Sequence, residues 1–319
     1  MRRFFILILV VGFFPRCNET AEPIVVGSKN FTESVILGEL LAQTLENAGC
    51  SVDRRLNMGG TLVADSAIRA KEIDAYVEYS GTALTAILKL PATNDRRGVD
   101  SAVRAAYDRR GLTWGPNLGF NNTFAMIVRR ADSEKHALRT ISDLQKVSAQ
   151  FQPAFGPEFA SRPDGYDGLL KAYGLTFSRQ PKTMDLGLTY KALASGQVDL
   201  IAGNSTDGLI DSLGLIALVD DRSYFPPYDA SVVSAKDLDA KCSTASASLE
   251  KLNGTIDEAA MRRLNFEVDG RKRDVREVVR EYLQGKSVGK ASREDRYFLR
   301  AAIRILSHLP TRAFSSPTA

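Results

Sequence analysis

Two segments of this sequence, 125 positions apart, repeat one pattern, and each ends in polar side chains suited to holding a small charged molecule. Residues 67–80 and 192–205 both pass from an alanine-rich helical run, through an apolar residue and an Asp, into a short strand and a hydroxyl-rich loop. Tyr79 and Asn204 each lie six residues after the apolar residue that opens the strand. The repeat predicts two similar lobes with these loops facing across a cleft, and chance similarity between two ordinary helix–strand units is the alternative.

Residues that could perform acid–base or nucleophilic catalysis are not grouped in the sequence. Asp74 and Asp199 follow the strand-opening apolar residues, where Asp commonly fixes a turn, so a structural role is predicted for both. His136 and His308 are far apart, and no third group suggests a catalytic triad with either. The glycines form no phosphate-binding pattern. We therefore predict that the protein is not an enzyme and holds no metal and no cofactor.

The composition and the N-terminal segment predict that the paired loops belong to an exported, soluble protein. The chain has 319 residues, of which 44% are hydrophobic and 25% charged, enough for two ordinary cores. Residues 1–16 contain three arginines, of which Arg2 and Arg3 precede a short apolar run, and this pattern predicts an export signal. Without this segment the chain keeps 39 basic and 38 acidic residues, so it lacks the basic surface that nucleic-acid binding requires.

Three cysteines leave two questions open. Cys17 directly follows the apolar segment and could carry a lipid anchor, although Phe14, Pro15 and Arg16 do not fit the small residues expected before a lipidated cysteine. In an oxidising compartment Cys50 and Cys242 could form a disulfide, and two buried free thiols are the alternative. We expect a periplasmic or otherwise extracytoplasmic location.

The order of predicted elements favours two lobes of which the first is discontinuous. A strand at 24–27 leads into a helix that ends near Gly49, and Asn30 with Glu33 has the spacing of a capping box. An extended run at 118–128 and a proline-containing stretch at 220–228 are predicted to cross between the lobes. The predicted domains are 24–122 plus 229–319 for the first lobe and 123–228 for the second, with 229–319 mostly helical.

Four separated motifs resemble those of the substrate-binding proteins of osmoprotectant ABC importers. They are the runs at 27–34, 76–82, 205–208 and 224–228, and the resemblance covers residues 24–285. It implies an α/β, two-lobed, type II periplasmic-binding-protein-like fold that closes on glycine betaine, choline, carnitine or a related solute. It also implies a membrane permease and its ATPase as partners. We expect a monomer.

The resemblance also implies a binding site. A quaternary ammonium group has no N–H to donate, so proteins hold it with aromatic faces. Tyr79 and Tyr228 match cage positions, and Phe124 stands where the family carries a third tyrosine. Lys29, Thr82 and Arg162 match the groups for the solute carboxylate. On this basis a partial site on or near the first lobe contains Lys29, Tyr79, Thr82 and Phe124. On closure the site is completed by Arg162, Asn204 and Tyr228. The predicted ligand-binding residues are Lys29, Tyr79, Thr82, Phe124, Arg162, Asn204 and Tyr228.

Asn204 departs from the family pattern, which has a fourth tyrosine at that position. An amide offers no π face, so the cage is expected to be open on the side of the second lobe, and a solute with a hydroxyl or amide would suit it. Ordinary alternatives exist for the other residues: core packing for the tyrosines, solvated charge for Lys29 and Arg162, and a helix cap for Thr82. A solute sensor, or a transferase with a covalently held cofactor, remains the functional alternative.

Overall fold

Two five-stranded sheets organise residues 22–285, the part of the chain that this computed structural model describes. The predicted export signal, Cys17 and residues 292–319 lie outside the described residues. The strands are β1 Ile24–Gly27, β2 Val52–Arg55, β3 Ala75–Tyr79, β4 Leu112–Asn121, β5 Phe124–Arg129, β6 Pro153–Phe155, β7 Lys182–Thr183, β8 Leu200–Asn204, β9 Leu215–Leu218 and β10 Asp229–Ala235. The first sheet has the order β2-β1-β3-β10-β4, and the second has the order β7-β6-β8-β5-β9.

Helices cover the sheets. They are α1 Thr32–Asn47, α2 Thr61–Arg69, α3 Ser80–Thr82, α4 Arg96–Arg109, α5 Arg130–His136, α6 Pro157–Ser161, α7 Tyr166–Tyr173, α8 Leu186–Ala194, α9 Leu209–Ser212, α10 Leu238–Lys241, α11 Ala245–Glu250, α12 Glu258–Asp269 and α13 Val275–Leu283, with a π-helix at Ala83–Ile87 and a 3-10 helix at Ser142–Lys146. We call the first sheet and its helices the first lobe, and the second sheet and its helices the second lobe. No helix within residues 22–285 has both the length and the apolar character needed to cross a membrane.

The first helix buries an apolar stripe at helical spacing, as the sequence predicts, but its start differs from the prediction. Ile36, Leu37, Leu40 and Leu41 are all buried against the first sheet. The residue that precedes the helix is Phe31, and no side chain caps the helix start. The predicted capping box is wrong because the Glu33 carboxylate points into the interior, where it accepts hydrogen bonds from other elements.

Both predicted crossings between the lobes are present. β4 ends at Asn121 in the first sheet and β5 begins at Phe124 in the second, while residues 219–228 return the chain to β10. The two crossings lie side by side, since the Asn122 N–H donates to the Tyr228 carbonyl at 3.0 Å. Within the described residues, the expectation of mostly helix after residue 228 is confirmed by α10 to α13. It missed β10, which pairs antiparallel with β3 and β4 and is buried almost throughout.

The repeated unit folds alike in the two lobes. Asp74 accepts a hydrogen bond from the Val25 N–H at 2.7 Å and Asp199 accepts one from the Gln152 N–H at 2.9 Å. Each carboxylate therefore ties the start of its strand to the neighbouring strand, and the predicted structural role of both Asp residues is confirmed. Each also pairs with a cation from another element of its own lobe.

Cys50 and Cys242 form a disulfide with a Cα–Cα distance of 5.7 Å. The alternative of two free thiols is thereby excluded. The bond links residues 192 positions apart and joins the end of the first helix to the segment after α10, so it fixes the discontinuous part of the first lobe to its beginning.

Replacing both cysteines, as Cys50→Ser with Cys242→Ser, should lower the free energy of unfolding by about 3 kcal/mol, because the crosslink restricts the unfolded chain. Urea denaturation of the purified protein measures this. A reductant should lower the stability of the wild type to that of the variant and leave the variant unchanged. Equal stability of wild type and variant without reductant would contradict the prediction.

Candidate functional site

A cavity of about 380 Å³ lies between the lobes, and all seven side chains predicted from the sequence line it. Tyr79 and Asn204 end the equivalent strands β3 and β8, as the repeat implies. The first lobe and the return crossing contribute Lys29, Tyr79, Thr82 and Tyr228, and the second lobe contributes Phe124, Arg162 and Asn204. Phe124 therefore belongs to the second sheet and Tyr228 directly precedes a strand of the first, the reverse of their predicted sides.

Aromatic rings form much of the cavity wall. Tyr79 and Tyr228 are 4% and 2% exposed, and the Phe124 ring lies edge-on to Tyr228 with centroids 5.5 Å apart. Sequence reasoning missed Phe159, whose ring centroid is 4.9 Å from that of Phe124, and Phe31, 6.2 Å from Tyr79. Phe159 comes from α6 of the second lobe, so that lobe brings a second ring to the cavity besides Phe124. Phe159 follows shortly after the end of β6, at the cleft edge of the sheet, and this position was the signal that could have identified it as a site residue.

Lys29 is buried, which excludes the alternative of a solvated charge. Its Nζ lies 2.6 Å from Oε1 of the buried Glu78, and 4.6 Å from the centre of the Tyr79 ring. Burial raises the pKa of Glu78, against the opposing effect of the ammonium group. Two ammonium protons remain beyond the bond to Glu78, and these are the donors that Lys29 can offer to a ligand.

Arg162 is also buried and joins the two lobes. Its Nε lies 2.9 Å from Oδ1 of Asp164, and one of its terminal nitrogens donates to the Thr82 hydroxyl at 3.0 Å. The guanidinium faces the rings of Phe124 and Tyr228, at 5.2 and 5.7 Å from their centres. Although burial opposes ionisation, Arg162 holds the pKa of Asp164 below its usual value. Because the Thr82 hydroxyl accepts the hydrogen bond from Arg162, the alternative interpretation of Thr82 as a helix cap is wrong.

Glu33 organises the floor of the cleft. Its carboxylate accepts hydrogen bonds from the Tyr79 hydroxyl and the Asn122 amide, both at 2.7 Å, from the Asn265 amide at 2.9 Å and from the Thr206 hydroxyl. Thr206 belongs to the second lobe and the other three donors to the first lobe or the crossing. Burial raises the pKa of Glu33 despite these donors. The sequence offered no signal for this role, since Glu33 fitted a capping box.

Glu158 makes a second link between the lobes. Its carboxylate accepts from the Thr61 N–H at 2.6 Å and from the Thr61 hydroxyl at 3.0 Å, which caps the start of α2 from across the cleft. A Cβ at Gly60 would lie only 2.4 Å from Oε1 of Glu158. Glycine at this position therefore permits the close approach of the two lobes.

A second cavity, of about 410 Å³, adjoins the first and shares Phe31 and Asn204 with it. Acidic side chains line it, among them Asp207 and Asp269. Burial raises the pKa of Asp207 to about 6, even though the carboxylate accepts hydrogen bonds from the Tyr190 hydroxyl at 2.5 Å and the Asn204 N–H at 2.8 Å. These bonds fix the backbone that presents Asn204 to both cavities.

Comparison with known proteins agrees with this arrangement. Residues 22–285 match the family described as the substrate binding domain of ABC-type glycine betaine transport systems. The chain belongs to this family. The resemblance seen in the sequence is thereby confirmed, and the members named below are binding proteins of transporters and not enzymes.

Relatives in this family carry names for several quaternary solutes. The chain is 33% identical over 271 residues to the carnitine transport binding protein of Listeria monocytogenes, covering 84% of this chain and 88% of that protein. It is 31% identical to the glycine-betaine-binding protein of Pseudomonas aeruginosa, covering 86% and 91%. It is 35% identical to the ergothioneine transport permease/ergothioneine binding protein of Helicobacter pylori, covering 88% of this chain but only 51% of that protein.

Solved structures confirm the two-lobed α/β fold. The crystal structure of a glycine betaine/carnitine/choline ABC transporter has 30% identity and a TM-score of 0.69, covering 82% of this chain and 98% of that one. The structure of apo YehZ from Escherichia coli has 27% identity and a TM-score of 0.63, covering 84% and 100%.

Asp207 should give stability a pH dependence. Because its pKa is raised from 3.8 to about 6 in the folded protein, the folded state binds more protons than the unfolded chain between these values. The contribution is therefore full below about pH 4 and lost as pH rises through about 6. We expect the stability of wild type relative to Asp207→Asn to fall by about 3 kcal/mol from pH 4 to 7, measured by urea denaturation. Asp211→Asn, an exposed acid on α9, is the control, and a flat difference for Asp207→Asn would refute the assignment.

Glu158→Ala should shift the protein toward an open form. The variant loses both hydrogen bonds to Thr61 across the cleft, at a cost of roughly 1 kcal/mol for an accessible carboxylate at a helix start. Small-angle scattering should show a larger radius of gyration than for wild type. Glu134→Ala removes an acid on α5 of the second lobe that is outside the cavity lining, and should scatter like wild type. Identical curves for the two variants would contradict a role in closure.

Proposed function

We propose that this protein is the extracytoplasmic solute-binding component of an ABC importer, and that it captures a quaternary-ammonium or zwitterionic compatible solute such as glycine betaine, choline or carnitine. The single observation that supports this best is the aromatic wall of the cavity between the lobes, in a chain of this family. The names of the relatives extend the range of candidate solutes to ergothioneine.

The chemistry of the cavity suits a methylated ammonium group. Rings of Phe31, Tyr79, Phe124, Phe159 and Tyr228 line it, and each desolvated π face contributes about 0.5–2 kcal/mol to binding a cation. Neighbouring acids, Glu158 and Asp185, also line the cavity and favour a positive ligand. No N–H donor of the ligand is needed for these contacts.

The other end of a zwitterionic solute would meet the buried cations. Lys29 keeps two ammonium protons that Glu78 does not use, and Thr82 provides a hydroxyl beside Arg162. Since each cation is already balanced by its own carboxylate, a solute carboxylate would gain hydrogen bonds more than net charge attraction. The same site can therefore accept cationic and zwitterionic solutes.

Binding between two lobes couples capture to closure. A ligand stabilises the closed form only by its greater affinity for that form, and contacts such as Arg162 with Thr82 exist only when the lobes meet. We propose that the closed monomer delivers its solute to a membrane permease driven by a separate ATPase. A relative that combines permease and binding protein in one chain supports the permease as partner. Export by residues 1–16, and an anchor through Cys17, complete the proposal.

The functional alternatives are less well supported. A transferase with a cofactor attached to a cysteine would need a free thiol in the cavity, but Cys50 and Cys242 are joined to each other and neither lines it. A sensor that presents bound solute to a partner would use the same cavity. A solute-binding experiment tests capture of the solute, which the transporter component and the sensor have in common.

Calorimetric titration with glycine betaine, choline, carnitine and ergothioneine should give binding for at least one of them. For that solute, Phe124→Leu should weaken binding about tenfold, because it removes one π face and no hydroxyl. Phe177→Leu makes the same change at a half-buried ring of the second lobe that contacts Tyr166 and is outside the cavity lining, and should bind like wild type.

If none of the four solutes gave heat of binding, the proposed function would be contradicted. Equal weakening by Phe124→Leu and Phe177→Leu would show that the rings act through stability and not through contact with the solute.

A further inference from the structure

We propose that Asp164 is a positioning residue that sets the charge class of solute accepted by the cleft, through its contact with Arg162. Because Asp164 balances and orients the guanidinium, Arg162 can serve a solute as a hydrogen-bond donor and not as an unbalanced positive charge that requires an anion. The inference rests on the proposed function and deepens it, since it names the residue that admits cationic solutes beside carboxylate-bearing ones.

Asp164 is buried behind the cavity wall. It is 2% exposed and is outside the cavity lining, whereas Arg162 lines the cavity. Two hydrogen bonds join them, from Nε of Arg162 to Oδ1 at 2.9 Å and from Nη2 to Oδ2 at 2.6 Å. Such a forked contact holds the guanidinium plane in one orientation. Asp164 therefore acts on a solute through the groups that it holds and not by touching the solute.

Nearly all donors of Arg162 are used within the protein. Besides the two bonds to Asp164, Nη1 donates to the Thr82 hydroxyl at 3.0 Å and Nη2 donates to the Thr85 hydroxyl at 3.3 Å. A guanidinium has five N–H groups, so one on Nη1 has no acceptor among the described residues. Arg162 can therefore offer a solute one hydrogen bond, from a charge that is already compensated.

The same carboxylate holds part of the aromatic wall. Its Oδ2 accepts a hydrogen bond from the Tyr228 hydroxyl at 2.5 Å and lies 3.0 Å from the Thr85 hydroxyl of the first lobe. Burial and the negative charge of Asp164 raise the pKa of Tyr228, so this hydroxyl stays a donor. The Arg162 guanidinium lies 5.7 Å from the centre of the Tyr228 ring. Asp164 thereby fixes a cation and a ring of the cavity relative to each other.

The charge balance decides which solutes are tolerated. A buried guanidinium without a counter-anion attracts an anion and repels a cation, because charges interact strongly where water is excluded. With the Asp164 carboxylate 2.6 Å away, a solute carboxylate gains a hydrogen bond from Arg162, and a solute hydroxyl can accept the same bond. Removing the charge of Asp164 should therefore change the preference between the two kinds of solute, and not merely the affinity for both.

Calorimetry with the purified protein tests this with pairs of trimethylammonium solutes that differ in a carboxylate. The pairs are glycine betaine with choline, carnitine with carnitinamide, and ergothioneine with its carboxamide. In at least one pair, wild type should prefer the carboxylate-bearing member by no more than about tenfold. Asp164→Asn keeps the shape of the side chain and should raise that preference about tenfold.

A double variant tests whether the effect passes through Arg162. Arg162→Gln with Asp164→Asn leaves no unbalanced charge, so the preference should return to the wild-type value or fall below it. Asp199→Asn is the matched control, because it changes another Asp of the second lobe that is paired with an arginine, Arg129, outside the cavity lining. Its preference should equal that of wild type. The wild-type comparison does not depend on whether a variant folds.

Several results would overturn the inference while leaving the proposed function intact. One is a wild type that prefers the carboxylate-bearing member of every pair by more than about tenfold, since Arg162 would then act as an unbalanced charge. Others are an unchanged preference in folded Asp164→Asn, a raised preference that persists in the double variant, and an equal rise in Asp199→Asn. If none of the solutes bound to wild type, the proposed function would fail and the inference with it.

Discussion

The carboxylate of Glu33 imposes the constraint on which the cleft depends. A buried carboxylate is stable only when donors replace its lost hydration, and here the donors come from four separate parts of the chain: Tyr79, Asn122, Thr206 and Asn265. Satisfying one anion therefore fixes the ring of Tyr79, the amide of Asn122 and the contact between the lobes together. The cavity wall is positioned by this requirement as much as by the sheets.

The same rule accounts for the electrostatics of the cavity. Each buried cation has a carboxylate of its own, Lys29 with Glu78 and Arg162 with Asp164, since an unpaired buried charge would be too costly. The two buried cations are thereby balanced, while Glu158 and Asp185 leave the wall with an excess of negative charge. In the proposed function, recognition of a solute then depends on π faces, on hydrogen bonds left unused and on exclusion of water, and the negative excess favours a cationic group.

Local pattern was sufficient to predict most of what the site needs. The 125-residue repeat placed Tyr79 and Asn204 at equivalent strand ends, and both line one cavity. The features that were missed depend on contacts between distant segments. The strand β10 is buried because β3 and β4 flank it, and Glu33 is internal because donors from both lobes converge on it. A capping-box spacing is a local signal and could not reveal either arrangement.

Asn204 stands where the resemblance seen in the sequence implied a tyrosine, and it shows why the wall of a cavity cannot be judged one position at a time. Taken alone, the amide removes a π face from the second lobe. Phe159 provides one on that lobe from a different element, packed edge-on against Phe124. A ring can contribute its face wherever it reaches the cavity. Any element at the cleft edge of the sheet can therefore supply one. An amide at position 204 therefore leaves the cavity with aromatic side chains from both lobes.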